Sequence, residues 1–143
     1  MMKLFPLLTF LTFVVLSASP AAALDVTITV QGIRNDKGKI AALAFASKDG
    51  FPDGVTQALA QTQVDARKGT VTLTLKNVPA GRVAVTILHD ENENGRLNRS
   101  IIGIPLEGVG MSGNPAGSHP PTFDDAVLEI RKSQKLTITL KYW

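Results

Sequence analysis

Four stretches of this chain set an aliphatic side chain at every second position. Val26, Ile28 and Val30 alternate with Thr27 and Thr29, and Val71, Leu73 and Leu75 with Thr70, Thr72 and Thr74. Val83, Val85 and Ile87 alternate with Ala84, Thr86 and Leu88, and Leu136, Ile138 and Leu140 with Thr137, Thr139 and Lys141. A period of two is what a strand with one buried face requires, because successive side chains point to opposite sides of a sheet. The β-branched threonines suit the other face of the same pleated surface. Residues 40–46 and 126–131 complete six expected strands, and a seventh is expected within 60–66. Asn35-Asp36-Lys37-Gly38 reads as a tight hairpin turn between the first two strands. Asn77-Val78-Pro79-Ala80-Gly81, Arg67-Lys68-Gly69 and Lys132-Ser133-Gln134 punctuate the others. A short helix is expected over 54–60, but no segment reads as a helix long enough for a parallel crossover. The fold class implied is all-β, an antiparallel two-layer β-sandwich of about seven strands.

The segment before the first strand follows a different rule. Lys3 supplies one positive charge, residues 4–16 (LFPLLTFLTFVVL) form an apolar run of 13, and Ala21-Ala22-Ala23 offers small residues to a signal peptidase. This is the layout of a secretory signal peptide over residues 1–23, with cleavage expected after Ala23 and a periplasmic or secreted product. A spanning helix needs about 20 apolar residues, and Pro6, Ser17, Ser19 and Pro20 interrupt any longer one. No membrane span is expected once the signal is removed. Residues 24–143 then form a single domain. A small outer-membrane barrel is the rival architecture, but one Trp and one Tyr cannot furnish two aromatic girdles. Loss of Lys3 leaves 14 basic residues against 12 acidic. That balance, with so few aromatics, does not describe a nucleic-acid surface. The absence of cysteine excludes a disulfide scaffold, a thiolate metal site and a cysteine nucleophile.

Residues 90–125 break the alternation and hold six of the 12 glycines, together with Pro105, Pro115, Pro120 and Pro121. A connection this long in a compact domain is usually functional or disordered. Ile101, Ile102, Ile104, Leu106, Val109, Met111 and Phe123 are apolar enough to pack it down, so an ordered Gly/Pro-rich loop is expected. Its opening, Asp90-Glu91-Asn92-Glu93-Asn94-Gly95-Arg96-Leu97-Asn98, matches the first half of a D-x-[DN]-x-[DN]-G calcium loop. Side-chain oxygens at 90, 92 and 94 face one centre, Gly95 permits the bend, Arg96 offers its backbone carbonyl and Asn98 stands at the ninth position. The twelfth position is Ile101 where the full motif has a bidentate glutamate, and Glu107 is the candidate substitute. The competing reading is an Asx-rich hairpin with Asn94-Gly95 in a type I′ turn. It needs fewer assumptions because half of the calcium motif is absent. A site with so few carboxylates would be weak, about 10⁻⁴ to 10⁻³ M. No other cofactor is called for by any motif.

No catalytic signature accompanies the remaining reactive residues. Ser112 or Ser118 with His119 and Asp124 lacks a nucleophile elbow or oxyanion motif, and Gly108-Val109-Gly110 lacks the lysine and helix of a phosphate loop. The runner-up to a binding role is an envelope hydrolase drawing on His89, Glu107, His119 and Asp124.

These segments together resemble the uncharacterised bacterial family called domain of unknown function 2141. The resemblance is carried by IRNDKGKIAALAF, Gly50-Phe51-Pro52, NVPAGRVAVTILHDENENGRLN, IGIPLEGVGMSGN and PPTFDDA. It implies an exported β-sandwich of the transthyretin-like (Ig-like, prealbumin-like) kind and no established activity. This chain departs at Val83, where the family often has an aromatic residue, and at Asn98, where an aspartate is common. The second departure removes a charge from the candidate calcium loop, and Arg99 adds a positive one beside it. The reading adopted is an exported, non-enzymatic module of the cell envelope whose long loop binds another protein, a glycan or a cell-wall component.

Overall fold

A computed structural model describes residues 14–18, 22–113 and 120–143. Most of the expected signal segment lies outside them, as do Ser118 and His119. Among the described residues, eight strands make two packed sheets, accompanied by one four-residue helix, so the chain is an all-β sandwich. In the first sheet β1 (Ala23–Ile33) lies between β4 (Gly69–Pro79) and β8 (Gln134–Thr139). In the second, β3 (Ala60–Asp65), β2 (Lys39–Phe45) and β5 (Gly81–Asp90) lie side by side. The far edge of β5 is shared end to end: β6 (Gly108–Met111) pairs with Thr86 to His89, and β7 (Val127–Ile130) with Gly81 to Ala84. The helix α1 (Phe123–Ala126) leads into β7 behind a Thr122 cap whose partner is Asp125.

The expected strands form where the alternation places them. Val26, Ile28 and Val30 are wholly buried and meet Ile40, Val83, Val85 and Ile87 from the other sheet. Two expectations about connectivity need correction. Asn35-Asp36-Lys37-Gly38 does not close a hairpin, because β1 and β2 belong to different sheets. It is a corner, and so are the segments before β4, β5 and β8. Turn residues specify how sharply a chain bends but not which layer the next strand joins. As a result the sandwich is not wholly antiparallel: β8 runs parallel to β1, with Ile28 opposite Leu136 and Val30 opposite Ile138. Gly38 shows why this corner demands glycine, since its φ is +69° and a Cβ would collide with the Asp90 carbonyl oxygen. The expected helix over 54–60 is instead a pair of tight turns closed by Gly54 N–H to the Gly50 carbonyl at 2.6 Å and Ala58 N–H to the Gly54 carbonyl at 3.2 Å.

The centre of the second sheet is buried on both faces, while the outer side of its edge strand β3 is exposed. Along β5, every residue from Val83 to Asp90 is shielded from solvent. A second apolar cluster of Leu43, Phe45, Ala84, Leu88, Leu97, Val109, Phe123 and Ala126 covers the face turned away from the sandwich interior. Phe51 stands edge-on between Phe45 and Phe123, with ring centroids 5.7 and 6.1 Å away. The roof is therefore built from 46–59, 91–107 and α1. It leaves the hydroxyl of Thr86 buried with no hydrogen-bond partner among the described residues. The expected long loop also contains a strand, β6, and the turn of α1.

Candidate functional site

β5 ends at Asp90, and the chain then loops away until Glu107 returns it to β6. Both carboxylates are buried, Asp90 at 8% and Glu107 at 6% exposure. Asp90 accepts the backbone N–H groups of Asn94 at 3.2 Å and Gly95 at 2.8 Å, one on each oxygen. Glu107 accepts from Glu91 N–H at 3.1 Å and Asn98 N–H at 3.2 Å, tying the two ends of the opening loop together. Asn92 and Asn94 each accept the N–H two residues ahead, at 3.3 and 3.1 Å, the Asx turns expected of this composition. The Asn94 amide donates to Asn98 Oδ1 at 2.5 Å. Every candidate ligand residue, Arg96 included, thus sits in one closed collar. Glu107 joins it from nine residues beyond Asn98, a link that spacing could not establish. Among the described residues no group of three or more His, Asp or Glu gathers as a metal cage, so a cation here would depend on amide and backbone oxygens.

Above the collar the chain makes a narrow finger. Leu106 N–H donates to the Asn98 carbonyl at 2.9 Å, Arg99 faces Pro105 across an antiparallel bridge, and Ser100 N–H closes onto the Ile104 carbonyl at 2.8 Å. Its apolar side chains were expected to pack down, and they do not. Ile101 is 105% exposed, Ile102 77%, Leu106 55% and Ile104 41%. Val109 and Phe123 do pack into the roof, and Met111 partly so. A signal for the difference was present in the chain. Gly103 and Pro105 interrupt the four aliphatic residues, so no regular period can turn them onto one face. Arg99 holds the finger's base to Asp53 of the other roof segment at 3.3 Å.

The described residues among those considered for hydrolysis do not all converge. His89 is wholly buried, with Nδ1 2.7 Å from the Tyr142 hydroxyl and Nε2 2.7 Å from the Lys37 carbonyl. Nε2 must donate to that carbonyl, which leaves Nδ1 to accept from the phenol. Both ring nitrogens are occupied in tying the 35–38 corner and the chain end to β5. Burial pushes the Tyr142 phenol above its ordinary value, against the opposing hydrogen bond from Arg34 N–H. Asp124 pairs with Arg82 at 3.1 Å. Arg82 and His89 stand at opposite ends of β5, seven residues or roughly 23 Å apart. His119 lies outside the described residues. Ser112 is 3% exposed; its hydroxyl accepts from Val85 N–H at 2.8 Å and donates to the Ala126 carbonyl at 2.6 Å. It bridges the gap where β6 ends and β7 begins. A groove of about 340 Å³ crosses the outer side of β3, β2 and β5 between Val55 and Gly95-Arg96, and none of His89, Glu107 or Asp124 lines it.

Fold and loop together define a class: an all-β sandwich with one roofed sheet and a loop that ends in an exposed apolar finger. The chain belongs to the bacterial family described as "Uncharacterized protein conserved in bacteria (DUF2141)", whose profile matches residues 28–139. Comparison with curated proteins and with solved structures finds no match. The family match spans both sheets, the collar and the finger. No helix among the described residues is long and apolar enough to cross a membrane.

Proposed function

We propose that this chain is an exported, non-enzymatic binding module of the bacterial cell envelope and that the 98–106 finger is its contact surface. The observation that carries this reading is the exposure of Ile101, Ile102, Ile104 and Leu106 on a hairpin otherwise fixed at its base. Clustered exposed aliphatic groups are a liability in water and mark a contact surface. A rigid scaffold carrying such a loop is where binding residues concentrate. The signal-like N-terminus supports the compartment. The test compares the processed protein with an Ile101→Ser/Ile102→Ser variant, each immobilised against envelope extract. Loss of bound material by about tenfold or more is expected if the finger is the hot spot. Equal capture by both proteins would overturn the reading.

A second reading, a weak calcium loop at the collar, rests on a different observation. Asp90 and Glu107 are buried, yet each accepts only backbone N–H groups and neither is ion-paired among the described residues. Buried charges are ordinarily paired or metal-bound. We infer that Asp90, Asn92, Asn94, Asn98 and Glu107 side-chain oxygens, with the Arg96 carbonyl, supply calcium ligands. For a Kd of about 1 mM, 10 mM calcium stabilises the fold by about 1.4 kcal/mol, a few degrees in Tm. The gain should vanish in Asp90→Asn, and an unchanged melt after chelation and calcium addition would remove the site.

A further inference from the structure

Resting on the finger being the contact surface, we propose that its partner is a second copy of this chain, each finger seated in the other's groove on the outer side of β3, β2 and β5. The four aliphatic residues of the finger leave bare the equivalent of about three whole side chains. The same chain carries a receptor of matching chemistry. Ala41, Leu43 and Leu88 line the groove from the sheet, and Val55 lines it from the 46–59 segment. A cavity of about 150 Å³ takes a benzene ring, so one of this size takes roughly a dozen carbons, or three aliphatic side chains. Asp90 lines the groove too. It is already 8% exposed, with both oxygens bonded to backbone N–H groups, so an apolar guest removes little further water from it.

The finger is rooted beside the groove. Asp53, which holds Arg99 at the finger's base, is two residues from Val55, and Arg99 is three residues from Arg96. Ile101 is fully exposed, so the tip does not enter its own groove. A twofold axis through the shared root carries each tip to the other chain's groove. Area decides between one such contact and two. An exposed aliphatic side chain presents on the order of 100 Å², so one finger and the surface receiving it bury roughly 600 Å² together. That is the size of an adventitious packing contact, and stable association needs about 1,000 Å² or more. Reciprocal exchange uses the contact twice and reaches roughly 1,200 Å², which sets a dissociation constant on the order of 10–100 μM. In dilute solution the chain is then a monomer.

The processed protein, its N-terminus verified by mass spectrometry so that no leader contributes, is followed by sedimentation equilibrium from about tenfold below that range to tenfold above it. A rise from one chain to two, and no further, is expected. Ile101→Ser/Ile102→Ser on the finger and Val55→Glu in the groove should each weaken the dimer by about tenfold or more. The chain has no cysteine, so a disulfide reports the contact directly. Ile102→Cys and Val55→Cys chains, mixed under mild oxidation, should cross-link several-fold more than Ile102→Cys with Thr72→Cys, which stands exposed on β4. Absence of a dimer, growth beyond two chains, a dimer indifferent to either variant, or cross-linking no greater than the Thr72→Cys control overturns the second-copy assignment. If the dimer is absent while capture of envelope material still depends on the finger, the contact-surface reading stands and the second-copy assignment alone falls. If that capture is also indifferent to Ile101→Ser/Ile102→Ser, both fall.

Discussion

The two sheets share one interior but differ on their outer sides. On the first, threonines face water or each other, with Thr27 and Thr74 hydroxyls 3.2 Å apart, and no segment among the described residues forms a roof over them. On the second, two long connections and a helical turn form a roof that packs around Phe45, Phe51 and Phe123. The bare sheet shows that a polar outer side satisfies this architecture. The roof is therefore an addition to the sandwich, and its product is a rigid base under the finger. Collar and finger divide one loop between them: the collar satisfies its polar groups internally, and the finger leaves its apolar groups outside.

The largest effect should come from unfastening the roof. Glu107 holds two backbone N–H groups from opposite sides of the collar. Glu107→Ala leaves both without an acceptor, and charge-assisted bonds of this kind are worth about 1.5–3 kcal/mol each. A loss of about 2–4 kcal/mol in urea unfolding is expected, since water satisfies part of what is released. A loss under about 0.5 kcal/mol would mean that the collar is not what fastens the roof.

The contrast between the sheets sharpens with one substitution on each. Thr86 lies under the roof with its hydroxyl unpartnered among the described residues, while Thr29 is half-buried on the open side. Thr86→Val removes a buried orphan without changing shape and should stabilise by about 1 kcal/mol. Thr29→Val should fall within about 0.5 kcal/mol of zero. Equal shifts in the two variants would show that the roof admits water to Thr86.

The period-two rows disclosed both sheets because strand alternation is a local property of consecutive residues. The roof was only partly visible. Thr86 and Leu88 read as a solvent face, and nothing in β5 itself says that Phe51 and Phe123, far apart in the chain, will close over it. Layer assignment was hidden for the same reason: Asn35 to Gly38 encodes a bend, but β8 reaches β1 in parallel only through contacts more than a hundred residues apart. The collar was legible as far as Asn98, where the motif runs in sequence. Glu107 could be nominated but not placed. For the four aliphatic residues of the finger, hydrophobicity argued for burial, and the turn at Ser100 to Ile104 settled the opposite.

A smaller effect should separate the collar from the corner beside it. The Glu91 carboxylate is largely buried, at 14% exposure, and bonds Arg34 and Asn35 Nδ2, the latter at 2.7 Å. Burial raises its pKa, but the hydrogen bonds from Arg34 and Asn35 outweigh that and leave it below the ordinary value near 4.5. A depressed carboxylate stabilises fully above its unfolded value and ceases to as pH falls through the folded one. Glu91→Gln should therefore cost most at neutral pH, under about 1 kcal/mol given the solvent around Arg34. The cost should shrink as pH falls below 4.5. A difference that grows on acidification would contradict the pairing.

The smallest expected effect on stability belongs to the finger. Ile101 and Ile102 bury almost nothing within the chain, so folding gains little from them and Ile101→Ser/Ile102→Ser should change unfolding by no more than about 0.5 kcal/mol per site. This near-silence distinguishes a surface kept for contact from one kept for folding. A packed isoleucine reduced to serine would cost several times more, about 2–5 kcal/mol by the measure of core truncations. If urea unfolding of the double variant shows a loss of that size, the two isoleucines pack onto the protein itself. The finger would then be part of the roof, and the unequal outer sides of the two sheets would need no external partner to account for them.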